Sequence, residues 1–286
     1  ESALRQRLIA LGLFEVRTSA LIPRDAIAAA GGAVELKNPL SEDHVALRPN
    51  LLRGLLDVAA RNQNMGATSL RFFELGRIFL PPDATEKLAL GLLFSGEVCS
   101  APHWRSAAKR QLDLFDLKGA INALRVPALS LRRAEKSGYA LAADILSGET
   151  VIGFAARVSG AVAPVFLAQI ELESLVRAEA AGRKFQELDK FPAVARDIAM
   201  IVPEKLSHAE VDDAIRAANE PLLADVRLFD LFSGKEAASI GAGRKSLAYT
   251  LTYRDRNRTL THDEVNVVHT RIRERLQSEL GAELRE

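Results

Sequence analysis

The 286-residue chain has one cysteine, Cys99, so no disulfide can form within it and a thiolate zinc site has no ligand set. That usage fits a reducing compartment. It also lacks an excess of either charge: 38 Lys+Arg stand against 37 Asp+Glu, a formal net charge of +1. No global field therefore draws in phosphate or an anionic membrane, and any nucleic-acid surface has to be local. No apolar run approaches the roughly 20 residues that cross a bilayer, and the first residues lack a signal-peptide pattern. The cytoplasm is the expected location. No long-period repeat or low-complexity tract is visible. What is present is 48% hydrophobic and 26% charged residues, the balance of an ordinary globular protein. At roughly 100–200 residues per domain, the length suggests two domains. Glu1 falls inside what already reads as a helix, so the sequence reads as a piece of a longer protein.

Leu4, Leu8 and Leu11 recur at helical spacing and Gly12 stops that helix. Leu13 to Leu21 reads as a strand, and a helix from about Asn50 to Asn64 carries Leu51, Leu52, Leu55, Leu56 and Ala59 as its apolar stripe. Leu70 to Leu75, Arg77 to Leu80 and Lys87 to Ser95 read as strands of an antiparallel meander, broken by Gly76 and by Pro81-Pro82. Leu114 to Leu124 looks helical, and strand-like runs follow at Val151 to Val158 and Val165 to Leu172. Residues 177–186 form a polar connector, which sets domains at 1–182 and 187–286.

Beyond the connector the pattern is more regular. Ala195 to Val202, Val226 to Phe232 and Lys245 to Arg254 read as strands, with a short edge strand at Ala282 to Arg285. Ser207-His208-Ala209-Glu210 and Thr261-His262-Asp263-Glu264 are capping boxes that open two helices. The order β-α-β-β-α-β is that of a ferredoxin-like domain, whose helices cover one sheet face and leave the other for a partner. In the third strand Leu247, Tyr249, Leu251 and Tyr253 share the core face, while Ser246, Ala248, Thr250 and Thr252 share the other. Asp230 and Phe232 also share a face, placing a carboxylate acceptor two residues from an aromatic ring. Such a pair suits a base, because the ring stacks and the carboxylate accepts from a guanine edge. Arg244, Lys245, Arg254, Arg256 and Arg258 flank the region as candidate phosphate partners. Residues 183–286 hold 17 Lys+Arg and 18 Asp+Glu, so this is no bulk polycation. Ordinary packing of Phe232 is the competing reading.

The opening helix followed by Gly12-Leu13-Phe14-Glu15-Val16-Arg17-Thr18-Ser19 resembles motif 1 of class II aminoacyl-tRNA synthetases. Asn38-Pro39-Leu40-Ser41, Leu47-Arg48-Pro49-Asn50-Leu51-Leu52 and Phe73-Glu74-Leu75-Gly76-Arg77-Ile78-Phe79 are similar to one family in particular, the β subunit of bacterial phenylalanyl-tRNA synthetase. So are Lys190-Phe191-Pro192-Ala193-Val194-Ala195-Arg196-Asp197, Leu228-Phe229-Asp230-Leu231-Phe232 and Arg258-Thr259-Leu260-Thr261, which match that subunit's C-terminal domain. The resemblance implies an α+β protein, with a class II synthetase-like antiparallel sheet domain followed by a ferredoxin-fold anticodon-binding domain. It also implies an α2β2 holoenzyme that uses ATP and magnesium, with the chemistry in the α subunit and neither group bound to this piece. Leu4, Leu8 and Leu11 would then pack against the α subunit. By match to the family's motif, Ala199, Asp230, Phe232 and Ser246 would form the pocket for the first anticodon base of tRNA(Phe). The family usually has tyrosine where this chain has Phe232, which keeps the stacking surface and loses a hydroxyl.

Active class II domains hold ATP with a motif 2 arginine and a motif 3 arginine, because adenylation builds negative charge that fixed guanidiniums stabilise. Here Leu80-Pro81-Pro82 stands where the first is expected, and Phe166 to Leu175 holds neither glycine nor arginine, with Glu173 in it and Arg177 beyond it. No catalytic or metal-binding residue is therefore assigned. Arg48 and Arg77 are the residual candidates for a nucleotide contact, against ion pairing. Cys99 and His103, four residues apart, read as a core thiol and a surface imidazole. Asp113 and Asp116 read as serving a helix dipole. Two further readings stay open: a stand-alone class II-like amide-forming ligase, and an RNA-free regulatory module that binds a small ligand or pairs with itself.

Overall fold

The computed structural model describes residues 1–98, 110–124, 129–161, 163–173, 189–233 and 240–285. Cys99, His103, Leu175, Arg177 and the polar connector lie outside them. The chain divides into two compact units, one within residues 1–183 and one within residues 184–286.

The first unit runs α1 (Ser2–Ala10), β1 (Phe14–Glu15), β2 (Leu21–Ile22), α2 (Arg24–Ala29), β3 (Val34–Glu35), β4 (Ala46–Leu47), α3 (Leu52–Asn64), β5 (Ser69–Leu80), β6 (Thr85–Gly96), α4 (Leu114–Ala123), β7 (Leu129–Ala134), β8 (Tyr139–Ser147), β9 (Thr150–Val158) and β10 (Val165–Glu171). Seven strands form one sheet in the order β1-β5-β6-β10-β9-β8-β7. Every pairing in it is antiparallel except β1 with β5. A small sheet, β2-β4-β3, packs Ile22, Val45 and Ala46 against Ala26 of α2.

Both faces of the large sheet are claimed. Leu4 and Leu8 of α1 and Leu117 and Ile121 of α4 pack with Phe73, Leu90, Leu92 and Ile170 on one side. Leu51, Leu55 and Ala59 pack with Phe72, Ile78 and Leu93 on the other. Alternation along β5 and β6 sorts these residues, odd positions of β5 and even positions of β6 facing α1 and α4. Two glycines make room on this face, Gly91 for α3 and Gly76 for Arg48 ahead of it. A Cβ on Gly91 would sit 2.7 Å from Leu55 Cδ1, and one on Gly76 would sit 2.4 Å from Arg48 Nη2.

The structure corrects three expectations here and adds two strands that the sequence did not announce. Gly76 does not break a strand: β5 is continuous from Ser69 to Leu80, because its pairing with β6 carries the backbone through the glycine. Leu13 to Leu21 is not one strand, since the ladder pairings of the stretch are confined to Phe14–Glu15 with β5 and Leu21–Ile22 with β4. β7 and β8 carry no strong alternation in sequence and are held as strands by pairing with each other and with β9. Leu4 and Leu8 are buried in the unit's own core, so they are not free to dock a partner, whereas Ile9, Leu11 and Phe14 remain exposed. Asp113 caps α4 in a capping box with Asp116, whose carboxyl is held below the usual range by its hydrogen bond from Arg110.

The second unit runs β11 (Val194–Pro203), α5 (His208–Arg216), β12 (Leu223–Phe232), β13 (Arg244–Tyr253), α6 (His262–Leu280) and β14 (Glu283–Arg285). Its four strands lie in the order β12-β13-β11-β14, all antiparallel. Both capping boxes form, Ser207 with Glu210 and Thr261 with Glu264. Val211 and Ile215 of α5 and Val265, Ile272 and Leu276 of α6 pack on Ile198, Met200, Leu247 and Leu251. Tyr249 and Tyr253 share that core, and each phenol finds a histidine: Tyr249 Oη lies 2.8 Å from His208 Nδ1 and Tyr253 Oη 3.1 Å from His269 Nδ1. Those bonds satisfy hydroxyls that would otherwise be buried at a cost.

Candidate nucleic-acid interface

Residues opposite one another in neighbouring strands share a face, so the register of the second unit lays out its uncovered side in rows. In one row Phe232 stands opposite Ser246, Ser246 opposite Ile201, and Ile201 opposite Glu283. In the next, Asp230 stands opposite Ala248, Ala248 opposite Ala199, and Ala199 opposite Arg285. Ala199, Asp230, Phe232 and Ser246, singled out by sequence, therefore fall on two adjacent rows of one face. A β-bulge in β12 makes this possible. The register shifts between Leu228 and Asp230, so Val226 and Leu228 face the helices while Asp230 and Phe232, of the same parity, face away. Two alanines between Asp230 and Arg285 leave a shallow floor that a planar ring can approach. Ser246 is buried beneath its neighbours, and Phe232 is half-buried, which holds its ring in place.

The basic residues divide. Arg244 is on the uncovered face, paired with Glu283 at 2.5 Å. Lys245 is not: it stands opposite the buried Val202, on the helix side, where its charge helps lower the Glu210 carboxyl behind the hydrogen bonds from Ser207. The strand's own alternation dictates this, since 245 shares parity with Leu247 and Tyr249. Arg254 and Arg258 follow β13's far end, and eight residues of strand put Arg254 about 26 Å from Ser246. Both are engaged there, Arg254 with Asp189 and Arg258 with Glu264 at 2.7 Å and Asp255 at 3.6 Å. Arg258 is the main reason the Glu264 carboxyl is pulled down to about 2. Arg254 and Arg256 line a polar hollow of about 540 Å³ with Asp189 and Asn257. So only Arg244 of the five lies next to the pocket. Ile201 and Arg285, which sequence reasoning passed over, do lie beside it, and period-two counting along β11 and β14 would have found them.

In the first unit the residual nucleotide candidates are committed elsewhere. Glu74, Gly91 and Gln169 form one row across β5, β6 and β10. Arg48 Nη1 donates to Glu74 Oε1 and to Thr18 Oγ1, both at 2.8 Å, and Arg48 Nε donates to the Arg77 carbonyl at 2.9 Å. Thr18 completes the ring by donating its hydroxyl to Glu74 Oε2 at 2.7 Å. The pair is deeply buried, with 7% and 3% of the two side chains exposed. Gln169 accepts from the Leu51 amide at 2.8 Å, and Leu55 stands over Gly91. Arg77 pairs with Glu86 on the surface. This row, filled by α3 and an internally neutralised arginine, does not fit a nucleotide phosphate. No cluster of three or more His, Cys, Asp or Glu that could hold a metal occurs among the described residues, and no helix there is long and apolar enough to cross a membrane.

Comparison with known proteins finds two family models along the chain. Residues 1–188 match the phenylalanyl tRNA synthetase β chain CLM domain, and residues 189–285 match the ferredoxin-fold anticodon binding domain. The chain is similar to the phenylalanine–tRNA ligase β subunits of Salinibacter ruber (36% identity, all of this chain and 38% of that protein) and Moorella thermoacetica (36%, 88% and 33%). The same subunit of Symbiobacterium thermophilum is 34% identical over 99% of this chain and 34% of its own length. The chain thus spans between a third and two fifths of the length of these relatives. Among solved structures, pyrrolysyl-tRNA synthetase of Desulfitobacterium hafniense overlaps 65% of this chain and 74% of its own, at 17% identity and a TM-score of 0.47.

Proposed function

The chain belongs to the phenylalanyl tRNA synthetase β chain family, and from that premise we propose that it is a non-catalytic part of a phenylalanine–tRNA ligase β subunit that grips the anticodon of tRNA(Phe). The single observation that carries this reading is the register that stands Phe232 and Asp230 opposite Ser246 and Ala248 on the sheet face away from α5 and α6. Phe232 stacks on the first anticodon base, worth about 1–3 kcal/mol. Asp230 accepts the amino and imino hydrogens of a guanine edge, and the small side chains of Ala199, Ala248 and Ser246 let the ring lie close. Arg244 beside the pocket meets a phosphate of the loop, and Arg254 and Arg258 at the far end of β13 reach stem phosphates by exchanging their carboxylate partners Asp189 and Glu264.

The first unit serves as scaffold. Arg48 is spent on Glu74 and α3 lies over the sheet row, which leaves no free guanidinium there for ATP phosphate, and we assign ATP, magnesium and adenylation to the α subunit. The α subunit of an α2β2 assembly in the cytoplasm docks at the α1–β1 corner. There Ile9, Leu11 and Phe14 are exposed beside an edge strand. Titration of the 286-residue chain with tRNA(Phe) tests the reading. Asp230→Ala and Phe232→Ala should each weaken binding about tenfold. Losses below about 1 kcal/mol in both remove the site assignment.

A further inference from the structure

The uncovered face of the second unit continues past the first-base pocket into a third row. Arg227 on β12 stands opposite Thr250 on β13, and Thr250 stands opposite Asp197 on β11. The Thr250 hydroxyl donates to Asp197 Oδ1 at 2.7 Å, which restrains this exposed carboxylate and leaves its Oδ2 available as an acceptor. Asp197 and Arg227 are both exposed. None of the ion pairs among the described residues of this unit takes either of them. Rows on one face of a strand succeed each other at about 6.7 Å, two residues of rise. One nucleotide of an unstacked strand covers that distance, so a base leaving the Asp230 row arrives over Thr250.

We propose that Asp197, oriented by Thr250, forms with Arg227 a second nucleotide subsite that selects an amino-bearing base adjoining the first anticodon base. The inference rests on the anticodon-binding reading. Its chemistry is one-sided. A carboxylate oxygen accepts from the exocyclic amine of adenine, cytosine or guanine, whereas uracil has no amine and offers only an imino hydrogen flanked by two carbonyl oxygens that the carboxylate repels. With Oδ1 held by Thr250, one acceptor oxygen remains, which suits a single amino group. Arg227, on the edge strand, supplies a charge for the adjoining phosphate and carries no base preference of its own.

The test titrates the 286-residue chain with anticodon stem-loop RNAs in which the base on either side of the first anticodon position is adenine or uracil in turn. At one of the two positions the parent should prefer adenine about tenfold. Asp197→Asn keeps an oxygen for Thr250 and turns the outer atom into a donor, so the preference should vanish or reverse. Thr250→Val, which frees the carboxylate to rotate, should reduce it by about threefold. Arg227→Ala should weaken every RNA equally and lower the salt slope by about 1. Asp230→Ala should weaken binding while leaving the adenine preference intact. An adenine preference unchanged in Asp197→Asn, with binding still lost in Asp230→Ala, overturns the second subsite and leaves the anticodon reading standing. Absence of binding by the parent chain overturns both.

Discussion

Both units put small residues in the middle of a largely antiparallel sheet, and they do so for opposite reasons. In the first, Gly76 and Gly91 make room for the chain itself: Arg48 lies against one and Leu55 against the other, and that face is closed. In the second, Ala199 and Ala248 lie in the middle of a face that α5 and α6 leave alone, with a carboxylate at one end of the row and a guanidinium at the other. A row of small side chains is therefore not in itself a binding floor. What decides its use is whether a helix of the same unit reaches it, and whether the charges around it are already answered from within.

The contrast can be broken from either side. Glu74→Ala should have the largest effect, about 3–5 kcal/mol of stability lost in denaturant unfolding, because it strands the buried Arg48 guanidinium. Arg77→Ala, on the same strand as Glu74 but exposed and paired across to Glu86 of β6, should cost under about 1 kcal/mol. A similar loss for both would mean that the Arg48 pair is not sealed from water. Leu55→Ala should cost about 2–5 kcal/mol as a cavity mutation. Adding Gly91→Ala should recover part of that in the double variant, since the new methyl enters the space Leu55 vacates. In the second unit, Phe232→Ala should lower the unfolding free energy by less than about 1 kcal/mol while lowering RNA affinity about tenfold. A large stability loss there would make the ring a packing residue.

Smaller effects sharpen the picture. Burial, with Arg273 and Arg196 nearby, depresses the His269 pKa below its ordinary value of 6.5. The unfolded chain then binds the proton more readily than the native one, so stability is full above pH 6.5 and declines as pH falls below it. The melting temperature of the second unit should drop between pH 7 and pH 5.5, and His269→Gln, which keeps a partner for Tyr253 without titrating, should flatten that drop. Lys245→Ala should leave RNA affinity unchanged within error, while Arg244→Ala should weaken it and reduce the salt dependence.

Legibility in the sequence followed the range of the signals. The ferredoxin-like unit was readable because its markers are local: two capping boxes, alternation in β13, and an i, i+3, i+7 stripe in α6 that matches Val265, Val268 and Ile272. The first unit was readable where a helix carried its own stripe, as in α3, and opaque where pairing alone makes the strand. β8 runs Tyr139-Ala140-Leu141-Ala142-Ala143-Asp144, with no alternation strong enough to declare itself, and β9 supplies the reason it is extended. The Arg48–Glu74–Thr18 ring joins residues up to 56 positions apart, and no spacing rule reaches that far. At the candidate site, neighbours along the chain misled where parity would have served. Lys245 was grouped with Ser246, though one backbone step turns a side chain to the opposite side. Ile201, Arg285 and the Asp197–Thr250 pair needed the cross-strand register.

The extra residue in β12 has a further consequence. It reverses the phase of the strand halfway along, so Val226 and Leu228 stay anchored under the helices while Asp230 and Phe232 answer only to whatever lies above the sheet. Recognition in this molecule can thus drift, or be engineered, by substituting positions 230 and 232 on one edge strand, without touching the side chains of Val226 and Leu228 that the core holds.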